Sequence, residues 1–209
     1  MFTGIVQTLG QVFSYKIENN LCRLVVSAPT KYANSLELGA SIAINGVCLT
    51  VVEYIAKQES DSTHISFDVI DESLRVTNLS SINTKDYINF ERSLKVGNEM
   101  GGHLVSGHVH ALAKVNKINK TSTNCAITFE LQHDTSKDGR KYIFEKGFIT
   151  INGVSLTLGK VTDNLFTVHL IPETLQRTNI GLLNVDDQVN IEFDQQTITI
   201  VDTIERMKL

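Results

Sequence analysis

The sequence predicts an all-β protein: two similar six-stranded Greek-key β-barrels in tandem, followed by a C-terminal helix. Three observations carry this reading. The stretch Ile44-Asn45-Gly46-Val47-Cys48-Leu49-Thr50 returns as Ile151-Asn152-Gly153-Val154-Ser155-Leu156-Thr157, with six of seven positions identical. Both copies lie between apolar runs rich in β-branched residues, so each reads as strand, Asn-Gly turn, strand. The flanking segments also recur in the same order, which marks tandem copies of one unit. Finally, each half holds about six short strand patterns and a single short helical one, which suits small closed barrels.

Taken in order, the opening Met1-Phe2-Thr3-Gly4-Ile5-Val6 finds its counterpart in Leu104-Val105-Ser106-Gly107-His108-Val109. Each is expected to be the first strand of its barrel, with a glycine that admits close approach of backbone or ligand. Further strands are expected over residues 21–27, 41–44, 48–55, 64–70 and 86–91, with a helical turn over 31–35. The β pattern breaks at residues 71–79, where Asp71 is placed to cap a short helix with Glu72 in its first turn. The second half repeats the plan, with strands over 113–118, 124–131, 148–151, 155–161 and 166–170 and a polar helical segment over 136–143. A short helix beginning at Pro172 then matches the earlier one, since proline is tolerated at a helix start. Val189-Asn190-Ile191-Glu192 answers Ile88-Asn89-Phe90-Glu91. The predicted units are therefore 1–97, 98–194 and a tail, 195–209. The tail is apolar on one side through Ile198, Ile200, Val201 and Ile204, as an oligomerisation helix would be.

Composition narrows the function. The 209 residues, 42% of them hydrophobic, suffice for two cores of about 100 residues each. A net charge of −4 with no basic run argues against nucleic acid or an anionic membrane as partner. No apolar stretch spans a bilayer, and the N-terminus lacks a signal-peptide pattern. Cys22, Cys48 and Cys125 are odd in number and include no CxxC. They imply neither a zinc site nor a disulfide framework, and fit a reducing cytoplasm.

The combined motifs resemble riboflavin synthase of the alpha-chain type. They are Met1–Val6, Gly101-Gly102-His103-Leu104-Val105-Ser106-Gly107-His108, Lys146-Gly147-Phe148, and the run from His169 to Thr178. The resemblance covers essentially the whole chain. It implies two lumazine-binding barrels, a homotrimer, and an active site between one subunit's N-terminal barrel and a neighbour's C-terminal barrel. It implies dismutation of two molecules of 6,7-dimethyl-8-ribityllumazine by four-carbon transfer, giving riboflavin and 5-amino-6-(D-ribitylamino)uracil, without metal or other cofactor. A lumazine synthase of the same pathway is a further candidate partner.

Carried onto this chain, the resemblance assigns Gly4, Ile5 and Val6, Cys48, Leu49 and Thr50, and Asp68, Val69, Ile70, Asp71, Glu72 and Ser73 to a first pocket. By the internal repeat, a second pocket takes Gly107, His108 and Val109, Ser155, Leu156 and Thr157, and His169, Leu170, Ile171, Pro172, Glu173 and Thr174, with Lys146 nearby. Every first-pocket element then falls within residues 1–97. Glu72 and Glu173 stand at helix starts, as ribityl acceptors or as caps. Cys48 against Ser155, and Ile5 against His108, are the informative differences between the copies. A lone cysteine is usually a small core hydrophobe, but the matching serine indicates a position facing something polar. The candidate catalytic residues are Ser41 and Cys48 near the ring carbon, His108 as proton carrier, and Asp194 to orient His108 or bind ribityl. His103 is read as holding the Gly101-Gly102 turn, and Cys22 and Cys125 as structural. The repeat departs at Ser73 against Thr174 and in a polar loop over residues 57–63 with no second-half counterpart. The competing reading is a non-catalytic lumazine- or flavin-binding protein of the same fold. A tandem barrel binding nucleic acid lacks the basic and aromatic stripe it would need.

Overall fold

A computed structural model describes residues 1–18, 21–57, 61–121, 124–132 and 138–207. Parts of the predicted loop (58–60), helical segment (136–137) and tail (208–209) lie outside them. The first barrel contains β1 (Thr8–Glu18), β2 (Leu21–Pro29), β3 (Ser41–Ile44), β4 (Val47–Lys57), β5 (Ser62–Ile70) and β6 (Tyr87–Arg92). The second contains β7 (Ala111–Lys120), β8 (Cys125–Leu131), β9 (Phe148–Ile151), β10 (Val154–Thr162), β11 (Leu165–Leu170) and β12 (Gln188–Phe193). Both are closed and antiparallel, with neighbour order β1-β2-β5-β4-β3-β6 and its image β7-β8-β11-β10-β9-β12. Short helices α1 (Thr30–Ala33), α2 (Asp71–Val76) and α3 (Pro172–Arg177) decorate them, and α4 (Gln195–Met207) ends the described chain.

Alternation builds each core. In β2, Cys22, Leu24, Val26 and Ala28 all point inward and are at most 1% exposed, as a two-residue period dictates. Burying a side chain of valine or leucine size contributes about 1.5–3 kcal/mol, and each barrel has its own such cluster. β6 and β12 are buried on both faces. Ile88 and Phe90 face the barrel interior, while Asn89 faces the other half of the molecule and Glu91 faces Thr3 of the N-terminal opening.

The repeated hairpins lie at the contact between the barrels. Asn45 and Gly46 have φ of 47° and 79°, and Asn152 and Gly153 have 46° and 81°. Two consecutive positive φ values define the I′ turn that Asn-Gly favours. The turns meet tip to tip: a Cβ on Gly46 would lie 2.6 Å from the Gly153 nitrogen, and one on Gly153 would lie 2.7 Å from that of Gly46. Six asparagines close this contact reciprocally. Asn190 Nδ2 donates to the Asn45 carbonyl (2.8 Å), and Asn89 Nδ2 donates to that of Asn152 (2.9 Å). Asn78 N–H donates to Asn190 Oδ1, and Asn179 N–H to Asn89 Oδ1, both at 2.7 Å. Asn179 Nδ2 also reaches Asn45 Oδ1, and Asn78 Nδ2 reaches Asn152 Oδ1.

One expectation is corrected here. Residues 1–6 are not the first barrel strand; that strand is β1. Instead Phe2 forms a reciprocal antiparallel bridge with Val105, its own counterpart in the repeat (N···O 2.7 and 3.0 Å). The two openings then cross over. Val6 is buried in the core of the second barrel, and Val109 packs against the core of the first. β1 escapes the pattern search because its register shifts between Val12 and Ser14, leaving Phe13 and Ile17 more than half exposed.

The C-terminal helix packs Ile198 and Val201 on the second barrel. Its start is capped by Asp194, whose Oδ2 accepts from Thr197 N–H (2.9 Å) and Oγ1 (2.8 Å), satisfying an otherwise orphan donor. Tyr142 donates to Asp202 at 2.6 Å, and Lys141 pairs with Asp202 and Glu205. Ile200, Ile204 and Met207 remain exposed.

Candidate active site

Each barrel has one place where neighbouring strands separate. The β4–β5 ladder ends at Val51–Phe67, so Cys48, Leu49 and Thr50 diverge from Asp68, Val69 and Ile70. On their outer sides both segments stay anchored: Ser41 to Ile44 pair with Val47 to Thr50, and Leu21 to Arg23 pair with Asp68 to Ile70. The second barrel repeats this, its β10–β11 ladder ending at Leu158–Val168 and freeing Ser155, Leu156 and Thr157 from His169 and Leu170. Strands that separate leave backbone N–H and C=O groups facing a gap, and such groups require partners. The result in each barrel is a slot between strand ends that the β4–β5 or β10–β11 ladder leaves unpaired.

The crossing openings complete the slots, and here the predicted grouping is corrected. Gly107, not Gly4, lies on Cys48: Cys48 N–H donates to the Gly107 carbonyl at 2.9 Å. Gly4 lies on Ser155, whose N–H donates to the Gly4 carbonyl at 2.8 Å. A Cβ on either glycine would come within 2.6 Å of the Cβ it faces, and both glycines have positive φ, 73° and 83°. The first slot is therefore bordered by Cys48, Leu49, Thr50, Asp68, Val69, Ile70 and Gly107. The second is bordered by Gly4, Ser155, Leu156, Thr157, His169 and Leu170. Residues 1–97 hold only part of the first slot, because its third wall comes from Gly107. Copy-by-copy matching assigned the openings to the wrong slots because the contact runs between the copies.

Two buried carboxylates fix the openings. Glu91 Oε1 accepts from Thr3 N–H (2.7 Å) and Thr3 Oγ1 (2.8 Å). Glu192 accepts from Ser106 N–H (2.7 Å), Ser106 Oγ (2.8 Å) and Gly107 N–H (2.9 Å). Both glutamates are 4% exposed. Burial pushes their carboxyls up, while the loop donors pull them back down. In the sequence they show only as matched strand ends.

In the second slot His103 does more than hold a turn. Its ring is buried, with Nδ1 2.7 Å from Ser155 Oγ, Nε2 3.1 Å from Thr150 Oγ1 and Phe148 stacked at 5.0 Å. Burial lowers its pKa, partly offset by the charge of Asp194. A neutral ring donates from one nitrogen and accepts at the other, so it joins the two hydroxyls in one line. In the first barrel the corresponding positions are Ser41 for Phe148, Ala43 for Thr150 and Cys48 for Ser155.

The other predicted residues are placed as follows. Ser41 pairs across the ladder with Thr50. Cys48 is half-buried and free, and His108 is exposed, its N–H donating to Ser106 Oγ at 3.2 Å. Asp194 is occupied as the α4 cap. Asp68 is paired with Arg23 (2.6 Å). Asp71 is the first helical residue rather than the cap, with Ile70 in the cap position, though its Oδ1 accepts the Glu72 N–H at 2.8 Å. Neither Glu72 nor Glu173 caps a helix; they pair with Arg75 and Arg177 on exposed surface. Pro172 does open α3 at its first turn. His169 is exposed, 3.4 Å from Asn124 Nδ2, and Lys146 is exposed with φ of 70°. A cleft of about 190 Å³ lies beside this corner, lined by Asn124, Leu170 and Pro172 among others.

The lumazine binding domain family model matches twice, over residues 3–93 and 106–194. Riboflavin synthase of Escherichia coli (strain K12) is 46% identical over 207 residues, covering 99% of this chain and 93% of that protein. The chain belongs to the riboflavin synthase family. Riboflavin synthase of Chlamydia pneumoniae is 40% identical, covering 99% of this chain and 96% of its own length. Among solved structures, LumP complexed with 6,7-dimethyl-8-(1'-D-ribityl) lumazine superposes with a TM-score of 0.80 at 24% identity, over 93% of this chain and all of that one. That likeness concerns the fold.

Proposed function

We propose that the protein is a riboflavin synthase, a transferase that moves a four-carbon unit between two molecules of 6,7-dimethyl-8-ribityllumazine. The products are riboflavin and 5-amino-6-(D-ribitylamino)uracil. The observation that carries this, beside the near full-length relatives, is that both barrels keep an equivalent splayed slot. A reaction between two identical heterocycles needs two similar sites. Holding both reactants in register is worth roughly 7–11 kcal/mol, so orientation supplies much of the rate. Because one molecule gives what the other takes, the transfer consumes no outside oxidant.

The slot edges offer backbone N–H and C=O groups to the heterocycle rim. Cys48 in one slot and Ser155 in the other are the groups nearest a bound ring. The line Thr150–His103–Ser155 provides a route for a proton to and from the Ser155 hydroxyl. His108 stands at the mouth of the first slot. We place each complete site between barrels of neighbouring subunits in a homotrimer, as the family resemblance implies. The exposed Ile200, Ile204 and Met207 of α4 are the apolar surface available for that assembly. A cytoplasmic location and a pathway partner such as a lumazine synthase accord with this reading.

Incubating the purified protein with 6,7-dimethyl-8-ribityllumazine alone tests the proposal: riboflavin should accumulate, one molecule for every two consumed. Stoichiometric binding without turnover would instead make the protein a carrier. Retention of both slots favours the enzyme.

A further inference from the structure

We propose that Glu192 and Glu91 are crossed positioning residues: the buried glutamate ending the last strand of each barrel sets the geometry of the slot in the other barrel. The inference deepens the two-slot reading and rests on it. Glu192 belongs to β12 of the second barrel, yet the three groups it holds belong to Ser106 and Gly107. Gly107 in turn forms a wall of the first slot, through its carbonyl on Cys48 N–H and through direct packing on Cys48. Glu91 of β6 in the first barrel holds Thr3, and the adjacent Gly4 walls the second slot against Ser155.

The chemistry requires a carboxylate. All three groups on Glu192 are donors, and an ionised carboxylate is acceptor-only. An amide of the same shape turns an N–H toward one of them, leaving two donors opposed in a buried place. Charged hydrogen bonds of this kind contribute about 1.5–3 kcal/mol each, more than tenfold in an equilibrium. No other side chain bonds to the Ser106 and Gly107 N–H groups among the described residues, so losing this anchor frees the wall of the opposite slot while leaving the barrel that carries the glutamate closed.

Cys48 reports the wall directly. Cys22 and Cys125 are buried, at 0% and 3% exposure, and Cys48 is half-buried beneath Gly107. The full-length protein and its Glu192→Gln and Glu91→Ala variants are titrated with an aromatic disulfide at fixed pH, with Cys48→Ser as background; alanine is used at Glu91 because both Thr3 donors go to one oxygen there, which glutamine would keep. Glu192→Gln should speed modification of Cys48 by about tenfold, and Glu91→Ala should leave it unchanged. Moving the reporter to the second slot, by Ser155→Cys with Cys48→Ser, should reverse the two variants' effects. Should Glu192→Gln fail to fold, Ser106→Ala removes one of the three bonds and should act in the same direction, more weakly. Equal acceleration by both variants at both reporters, or acceleration by neither, overturns the crossed assignment. Protection of Cys48 by 6,7-dimethyl-8-ribityllumazine tests the underlying slot reading separately. Crossed rates without protection uphold the positioning role and remove the ligand assignment; protection without crossed rates does the reverse.

Discussion

Replacing Gly107 by alanine probes the close approach that joins an opening to the opposite slot. Two costs add. Gly107 has φ of 83°, where a side chain costs about 1–2 kcal/mol. The new Cβ would also meet Cys48 Cβ at 2.6 Å, Cys48 N at 3.0 Å and Phe2 Cε2 at 3.0 Å. Phe2 is fully buried and Cys48 N–H is bonded to Gly107 itself, so neither neighbour can yield freely, and overpacking of this kind costs about 1–3 kcal/mol. The total is about 2–5 kcal/mol. Gly39 supplies the control, with φ of 82° and no heavy atom within 4 Å of a built Cβ. Gly39→Ala should therefore show only the backbone cost. At about 2–4 °C per kcal/mol for a chain of this size, Gly107→Ala should melt about 2–12 °C below Gly39→Ala. Circular dichroism melts of the two variants and the parent decide it. Coincident melts for the two variants would refute the claim that Gly107 is pressed on Cys48.

Three further expectations follow from other contacts. Asn190→Ala strips the Asn45 carbonyl, Asn78 N–H and Asn78 Oδ1 of their partner; at about 1–3 kcal/mol per orphaned buried group, it should lower the urea midpoint by at least about 3 kcal/mol equivalent, and a neutral result would show that the barrels do not depend on the asparagine contact. Burial holds the His103 pKa below its ordinary 6.5, so its contribution to stability is full above that value and is lost as pH falls through the window beneath it; His64, lowered in the same direction, remains in a His103→Asn variant, which should show a flatter but not flat decline in melting temperature below about pH 6.5, and an unchanged slope would count against a buried neutral ring. Finally, Cys48 and His108 share the first slot, so those two variants should not complement each other, whereas Cys48→Ala refolded with Ser155→Ala should recover activity above the mean of the separate proteins if sites form between subunits; a demonstrated mixed trimer with no gain would place each site within one chain.

Much of the architecture was readable because its signals are local. Asn-Gly between β-branched runs specifies an I′ hairpin without reference to anything distant, and Pro172 marks a helix start by itself. β1 was not readable: its bulge interrupts the alternation and turns Phe13 and Ile17 outward. The site divides the same way. Cys48 and Ser155 stand out because the repeat exposes them as a mismatched pair, and each lies just past the end of a strand ladder. Their partners do not, because Gly4 meets Ser155 and Gly107 meets Cys48 across the molecule, and no spacing within a copy encodes a contact between copies. Glu91 and Glu192 were hidden for a related reason. A charged residue at a strand end normally faces water, and only the covering opening makes these two interior.

The reciprocity of the asparagine contact has a consequence for how the two slots came to differ. Four bonds from one half to the other, through Asn190, Asn78 and Asn179, have mates running back, as in an isologous interface between two identical chains. In such a dimer every substitution appears twice, so both sites must stay alike. Joining the halves covalently removes that constraint while keeping the interface. Cysteine can then occupy position 48 while serine occupies 155, and the connecting segment can contribute His103 to one site only. Fusion is the step that makes the two slots separately adjustable.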